Sequence, residues 1–116
     1  MTGRKVYLQP KGTLIQAVCD LAELQRGKYT FSDSPNGSIH FLVKMYHNKW
    51  EFKFTVKDIG QNRSGVELEV DGRAKGAEGI ISREFALLDS MLAIDAQIEL
   101  EEKRRAEPAT QTQNTY

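Results

Sequence analysis

A chain of 116 residues is long enough for one folded domain and too short for separate cofactor and substrate domains. Its 16 basic residues balance 16 acidic ones, which excludes a global electrostatic attraction to nucleic acid or to anionic lipid. The apolar runs fall far short of the roughly 20 residues that a membrane span needs, and no apolar segment follows the basic N-terminus as in a secretory signal, so we expect a cytoplasmic protein.

The first part of the chain predicts a strand followed by a helix. The segment KVYLQP at 5–10 alternates polar and apolar residues, with Val6 and Leu8 on one face, and its proline ends the strand. Apolar residues then recur at helical spacing, at Leu14, Val18 and Leu21. Gly27 is typical of the residue that follows a helix, so we expect the first helix over about 13–26.

Between residues 28 and 70 the hydrophobic period becomes two, which is the period of a strand. The turn sequences SPNG, HNK and GQNRSG separate four apolar faces. These faces are Tyr29 and Phe31; Ile39, Phe41, Val43 and Met45; Trp50, Phe52, Phe54 and Val56; and Val66, Leu68 and Val70. Such short loops predict an antiparallel meander, because parallel strands need long crossover connections. On the opposite face, we expect Lys53 and Lys57 to lie across from Glu67 and Glu69.

The last segment predicts a long helix that begins near Ser82 and has a wide apolar sector. One stripe contains Phe85, Leu88 and Leu92, and a second contains Leu87, Met91, Ile94 and Ile98. From about residue 104 the apolar periodicity ends, so we expect a disordered polar tail over 104–116. The prediction is one α+β domain over 1–103, with an antiparallel sheet of about five strands and the helices packed on one face. The order is strand, helix, four-stranded meander, long C-terminal helix.

The order of elements over residues 5–100, together with the stretch SGVELEVDGRAKGAEGIISREFALLDSML, resembles a compact, shortened helix-grip domain of the START, polyketide cyclase and Bet v 1-like superfamily. In that superfamily a curved antiparallel sheet wraps the C-terminal helix. The resemblance implies that a small apolar or amphipathic molecule binds between sheet and helix. It implies as ligand-binding walls Phe41, Phe52, Phe54, Phe85, Leu88, Met91 and Leu92. The same side chains could instead fill a closed core.

The glycine-rich loop VDGRAKGAEGII at 70–81 is the segment most similar to a phosphate-binding loop. Its glycines at 72, 76 and 79 match neither the Walker A pattern nor G-x-G-x-x-G. Arg73 and Lys75 could contact an anion near a helix N-terminus, although solvated loop charges are the favoured explanation. We therefore expect a hinge, with the freedom to act as a gate, rather than a nucleotide site.

No combination of residues indicates catalysis. His40 lies on the polar face of a strand and His47 in a turn, so they form neither a metal pair nor part of a triad. The lone Cys19 excludes an intrachain disulfide and a cysteine-rich metal site. The acidic residues without an evident partner are Asp33, Asp58 and Asp89. With no carboxylate or histidine expected on the apolar face, we predict no catalytic residue, no metal site and no cofactor.

Two other classes of binding domain share parts of this pattern. A double-stranded RNA-binding domain also has strands between two helices, but it has three of them where this chain has four. This chain also lacks the lysine cluster at the start of the last helix, so we do not expect nucleic acid as a partner. A protein-interaction module would use the second helical stripe, or an exposed Trp50 and Tyr46, to bind a partner or to form a homodimer. We expect a non-catalytic binding domain whose partner is a small apolar ligand or a protein.

Overall fold

The computed structural model describes residues 1–71 and 75–115, with side chains described as far as Arg104. Its elements are β1 (Thr2–Tyr7), α1 (Lys11–Leu24), β2 (Lys28–Asp33), a short 3₁₀ turn (Ser34–Asn36), β3 (Ser38–Met45), β4 (Asn48–Gly60), β5 (Arg63–Glu69) and α2 (Ala77–Thr115). The predicted α+β class and element order are confirmed.

The strands form a five-stranded antiparallel sheet in the order β1-β5-β4-β3-β2. The meander predicted over 28–70 is therefore confirmed, and β1 completes the sheet by pairing with β5. Both helices pack on the same face, where α1 contacts β3, β4 and β5 as well as α2. The apolar residues of β3, β4 and β5 point toward these helices and form the core. Burial of this face supplies the main stabilisation of the fold.

The face of β1 that packs against the core is not the apolar face predicted from its sequence. Val6 and Leu8 are exposed, whereas Tyr7 is buried. The reason is α2, which lies so close to β1 that a Cβ atom on Gly3 would come within 2.5 Å of Ile81. Close packing against the helix and a hydrogen bond from Tyr7 to Asp89 decide the orientation of this short edge strand.

The prediction that Tyr29 and Phe31 share one face of β2 is wrong. Tyr29 pairs with Phe41, but Phe31 pairs with His40, because the register shifts by a bulge between the two residues. Phe31 consequently lies on the outer face, against the His40 ring at 5.1 Å between centroids. One extra residue in a strand is enough to reverse which face the following side chain occupies.

Both tight hairpin turns contain non-glycine residues with positive φ. Tyr46 and His47 connect β3 to β4, and Gln61 and Asn62 connect β4 to β5. Two such residues in succession give a turn whose twist matches the flanking strands. Strand β4 therefore begins at Asn48, inside the HNK segment that we expected to be a turn.

The polar face of the sheet carries the expected charge alternation with different partners. Lys53 lies opposite Glu69, as predicted, but Lys57 lies opposite Gly65. Glu67 instead forms an ion pair with Arg4 of β1, at 2.9 Å. Exposed ion pairs of this kind contribute little to stability.

The structure begins α2 at Ala77, five residues before the predicted start at Ser82, and continues it to Thr115. The predicted polar tail, residues 104–116, falls almost wholly on positions whose side chains lie outside the described part. The tail and the domain boundary at 103 stay predictions. Within the described ranges, neither helix is long and apolar enough to cross a membrane.

Candidate functional site

The residues predicted as ligand walls belong to the hydrophobic core or pack against it. The Phe41 ring stacks on Phe54 with 5.8 Å between centroids and meets Phe52 edge-on at 5.6 Å. These are distances of direct aromatic contact. On α2, Leu88 is fully buried and Leu92 is nearly so, while Phe85 and Met91 are partly buried and pack against the core. The structure therefore places all seven residues in or against one core layer, and their role as ligand walls stays a prediction.

An open cleft of about 510 Å³ lies beside this layer, where the β3–β4 hairpin approaches the first turn of α2. Hereafter it is the hairpin cleft. Its lining residues are Tyr46, Asn48, Trp50, Lys75, Gly76, Gly79, Ile80 and Arg83. The hairpin supplies one wall and the start of α2 the other, so the cleft lies between sheet and C-terminal helix.

The floor of the hairpin cleft is apolar. Trp50 is only 4% exposed, and its indole N–H donates to the Met45 carbonyl at 3.3 Å. The burial of Trp50 agrees with its predicted place on the inner face of the sheet and contradicts the alternative in which an exposed Trp50 binds a partner. Ile80 is buried on the helical side, whereas Tyr46 stands at the rim and is 67% exposed.

The rim of the hairpin cleft carries two cationic side chains, of which Arg83 forms an ion pair with Glu84 at 2.8 Å. Lys75 and Arg83 line it, and no acidic residue does so in the described lining. The Ile80 N–H donates to the Gly76 carbonyl, which marks the first turn of α2. The N-terminal N–H groups of a helix lack intrahelical partners and carry partial positive charge. Glu78 lies in the same turn but does not line the cleft.

Behind Arg83 lies a buried carboxylate that the sequence reasoning missed. Glu84 is fully buried, where its two oxygens accept hydrogen bonds from the Gln25 amide at 2.6 Å and from Arg83 at 2.8 Å. Burial raises the pKa of Glu84, and the two hydrogen bonds only partly counter that shift. The expectation of no carboxylate on the apolar side is wrong. The signal was available, since residue 84 lies four positions from Ile80 and from Leu88.

A second polar cluster joins β1 to α2. The Tyr7 hydroxyl donates to Asp89 at 2.7 Å, and Lys5 forms an ion pair with the same carboxylate. Asp89 therefore has partners, contrary to prediction. Burial, together with the Asp89 charge, raises the pKa of Tyr7, so the hydroxyl stays protonated at neutral pH. The cluster acts as a clamp between strand and helix.

The remaining polar residues considered from the sequence have local roles. Asp33 accepts a hydrogen bond from Asn36 at 2.7 Å, and Asp58 accepts one from the Gly60 N–H at 2.8 Å. His47 lies in the exposed turn before β4. Across the described part of the chain, His, Cys, Asp and Glu side chains form no group of three that could hold a metal ion.

The glycine-rich loop is described only in part. Residues 72–74, which include Gly72 and Arg73, lie outside the described residues. Lys75 and Gly76 line the hairpin cleft, with Gly76 at a φ of 86° immediately before α2. The hinge or gate predicted for this loop stays a prediction.

Comparison with known proteins finds likeness in the fold alone. No protein-family model matches the chain, and no curated protein matches it. Among solved structures, the di-domain ARO/CYC StfQ from the steffimycin biosynthetic pathway is 13% identical, with 90% of this chain and 46% of that chain covered and a TM-score of 0.46. TTHA0849 from Thermus thermophilus is 9% identical over 82% and 97% of the two chains, with a TM-score of 0.49. Ara h 8.0201 is 10% identical over 81% and 95%, with a TM-score of 0.42.

The chain thus spans about half the length of the StfQ protein. StfQ and Ara h 8.0201 have the START/Bet v 1-like fold, so the resemblance predicted from element order is confirmed as a weak structural likeness. At such low identities and TM-scores, it carries no argument about ligand or activity.

Proposed function

We propose that this protein is a non-catalytic domain that binds a small amphipathic ligand between the sheet and α2, with the hairpin cleft as the site of the ligand's polar end. The observation that carries the proposal is the cleft itself. It combines an apolar floor, Trp50 and Ile80, with a cationic rim, Lys75 and Arg83.

The size and polarity of the hairpin cleft define the ligand class. A volume of about 510 Å³ lies within the range of small-molecule sites. Apolar contact with the floor favours an aliphatic or aromatic body, while the rim and the start of α2 favour one anionic group, such as a carboxylate. A fatty acid of medium length meets both requirements.

In this proposal the seven predicted wall residues form the deeper part of the binding site. Trp50, Phe52 and Phe54 follow one another along the inner face of β4, so the floor of the cleft continues directly into the aromatic layer. A ligand longer than the cleft would advance along this row, displacing contacts between α2 and the sheet. Phe85 and Met91, which are only partly buried, flank that route on the helix.

The chain provides its own optical probe for this test, because Trp50 is its single tryptophan. Titration with dodecanoate should change the Trp50 fluorescence saturably. In the variant Gly79→Leu, a side chain grows into the cleft, since a Cβ at Gly79 has nothing within 4 Å. We expect this variant to lose dodecanoate binding while the helix becomes more stable, because glycine is a poor helix former.

The matched control is Gly12→Leu in α1. Gly12 is also helical and also has open space around its Cβ, but it lies outside the hairpin cleft. This variant should bind dodecanoate as the wild type does. Saturable binding that survives Gly79→Leu would place the ligand elsewhere, and absence of any binding to the wild type would refute the proposal for this ligand class.

The anionic end of the ligand is tested separately. Lys75→Gln should weaken dodecanoate binding several-fold, while Lys57→Gln, which removes the same charge from the far end of β4, should not. Dodecanol, which has the same chain without the charge, should bind equally to both variants. Equal effects of the two substitutions would mean that only long-range charge matters.

A second candidate function is a protein interface on α2, favoured by the exposed continuation of its second apolar stripe. Leu87 and Met91 are partly buried, but Ile94 and Ile98 are 58% and 49% exposed at the same helical spacing. Alternate spacings of three and four residues are typical of a helix that packs against another helix. Sedimentation of the wild type and of Ile94→Lys tests this interface, since it predicts a dimer that the substitution dissociates. If the wild type stays monomeric at high concentration, the proposed dimer interface is refuted.

A further inference from the structure

A second groove, of about 530 Å³, lies where the end of α1 meets the outer face of β2, β3 and β4. Hereafter it is the basic groove. Its lining residues are Gln25, Arg26, Lys28, Leu42, Lys44 and Lys49. Four of these six side chains are cationic and none is acidic. The chain as a whole has no net charge, so this is a local concentration of positive charge.

The cations of the basic groove have no counterions from the described part of the chain. The ion pairs among the described residues do not involve Arg26, Lys28, Lys44 or Lys49. Lys44 and Lys49 are moreover directly opposite each other on β3 and β4. Like charges in directly opposed cross-strand positions destabilise a sheet. Folding alone does not account for this arrangement, whereas a bound anion would neutralise it.

Backbone strain holds a further cation at the same place. Arg26 has a φ of 55°, the left-handed conformation in which a helix commonly ends with glycine. The glycine comes one residue later, because a Cβ at Gly27 would lie 2.8 Å from the Phe41 ring and 3.1 Å from the Ala22 carbonyl oxygen. Arg26, which lines the basic groove, therefore adopts the strained conformation. Such strain is often stored at binding sites.

The surroundings of the basic groove favour a compact anion over an extended one. Beside the groove Glu51 lies directly opposite Leu42, and farther across the outer face are Glu67 and Glu69. Glu51 accepts a hydrogen bond from Thr30 at 2.9 Å and remains on that face. A nucleic-acid strand that continued across the sheet would meet these carboxylates. The groove volume is that of a small-molecule site.

We infer that the basic groove binds a small compound carrying at least two phosphate groups, with Arg26, Lys28, Lys44 and Lys49 as its ligands. The planar guanidinium of Arg26 matches two oxygens of one phosphate. The three lysines surround the neighbouring phosphate as point charges, and Leu42 forms an apolar floor. This site is separate from the hairpin cleft and does not depend on the function proposed for it.

Calorimetric titration of the full chain with inorganic tripolyphosphate tests this inference. We expect binding at low salt that is far tighter than that of orthophosphate and that weakens as salt is added. The double variant Lys44→Gln/Lys49→Gln should lose at least about tenfold in affinity. The matched control Lys57→Gln/Lys103→Gln removes the same charge outside the basic groove and should bind as the wild type does.

Arg26→Gly separates binding from stability. It removes both the guanidinium and the strain, so it should raise the melting temperature while weakening tripolyphosphate binding. Gly79→Leu, which blocks the hairpin cleft, should leave this binding unchanged. The inference is overturned if the wild type does not bind tripolyphosphate, or if the control loses as much affinity as the groove variant. Tighter binding of a single-stranded RNA, with a steeper salt dependence than four cations explain, would also overturn it in favour of nucleic acid.

Discussion

Truncation of Leu88 to alanine measures how tightly the layer between sheet and α2 is packed. Leu88 is fully buried in α2 beneath the sheet. Leucine-to-alanine substitutions in protein cores cost about 2 to 5 kcal/mol, with the larger values where the surroundings cannot collapse into the space. Leu88 belongs to the same buried core cluster as Phe41 and Phe54, whose rings are in direct contact at 5.8 Å between centroids. We therefore expect a loss of about 3 to 4 kcal/mol in the free energy of unfolding, and a melting temperature about 15 to 25 °C lower.

Urea unfolding of wild type and variant, followed by Trp50 fluorescence and by circular dichroism, measures this loss from the midpoint at an unchanged m-value. The control is Leu24→Ala at the end of α1, where the leucine is 61% exposed and the expected loss is below about 0.5 kcal/mol. A loss below about 1.5 kcal/mol for Leu88→Ala would refute the packing argument. It would mean that Leu88 lines a void, and the ligand of the hairpin cleft would then extend into the interior.

Two further substitutions test the backbone and the buried carboxylate. Gly37→Ala should cost more than about 3 kcal/mol, because φ is 76° and its Cβ would lie 2.1 Å from a backbone oxygen of β4. Gly60→Ala, with a φ of 90° and open space, should cost only about 1 to 2 kcal/mol; equal urea midpoints for the two variants would contradict this reasoning. For Glu84, whose folded pKa is raised, the associated stability is present below the ordinary value of 4.5 and is lost as pH rises through the folded value. The wild type should therefore gain stability relative to Glu84→Gln as the pH falls from neutral, and parallel pH profiles of the two urea midpoints would show that the pKa is not raised.

The strands at the centre of the sheet could be predicted because one of their faces is continuously buried. On β4, Trp50, Phe52, Phe54 and Val56 alternate with polar residues, and a slip of one residue would expose all four aromatic and aliphatic side chains. The pattern therefore specifies the register without knowledge of the helices. Short loops then determine that neighbouring strands are antiparallel.

The edge strands were predicted less well because their sequences do not specify a face so strongly. Phe31 changes face through a single bulge, and no residue in KYTFSD marks where the extra residue lies. In β1 the apolar pattern favours Val6 and Leu8, but α2 contacts the opposite face through Tyr7 and Gly3. Contacts with an element more than seventy residues away along the chain decide this orientation.

The candidate sites could not be predicted as sites because each one joins distant segments. The hairpin cleft combines Tyr46 and Trp50 with Ile80 and Arg83, and the basic groove combines Arg26 with Lys49. None of these residues forms a motif with its neighbours in sequence. Glu84 is different, because its helical spacing from Ile80 and Leu88 places it on the apolar face of α2. That position could have been identified from the sequence as a buried charge in need of partners.

The positions of backbone strain add an argument for the basic groove. Five non-glycine residues in the described chain have positive φ, namely Arg26, Tyr46, His47, Gln61 and Asn62. Asn62 adopts this conformation readily, and with Gln61 it forms an ordinary hairpin turn. Tyr46 and His47 form the corresponding turn between β3 and β4, whereas Arg26 belongs to no hairpin turn and lines the basic groove. Sequences that are otherwise locally consistent with their fold tend to depart from local preference at functional positions. Glycine at position 26 would relieve the strain, and the glycine that close contact with Phe41 requires is its immediate neighbour.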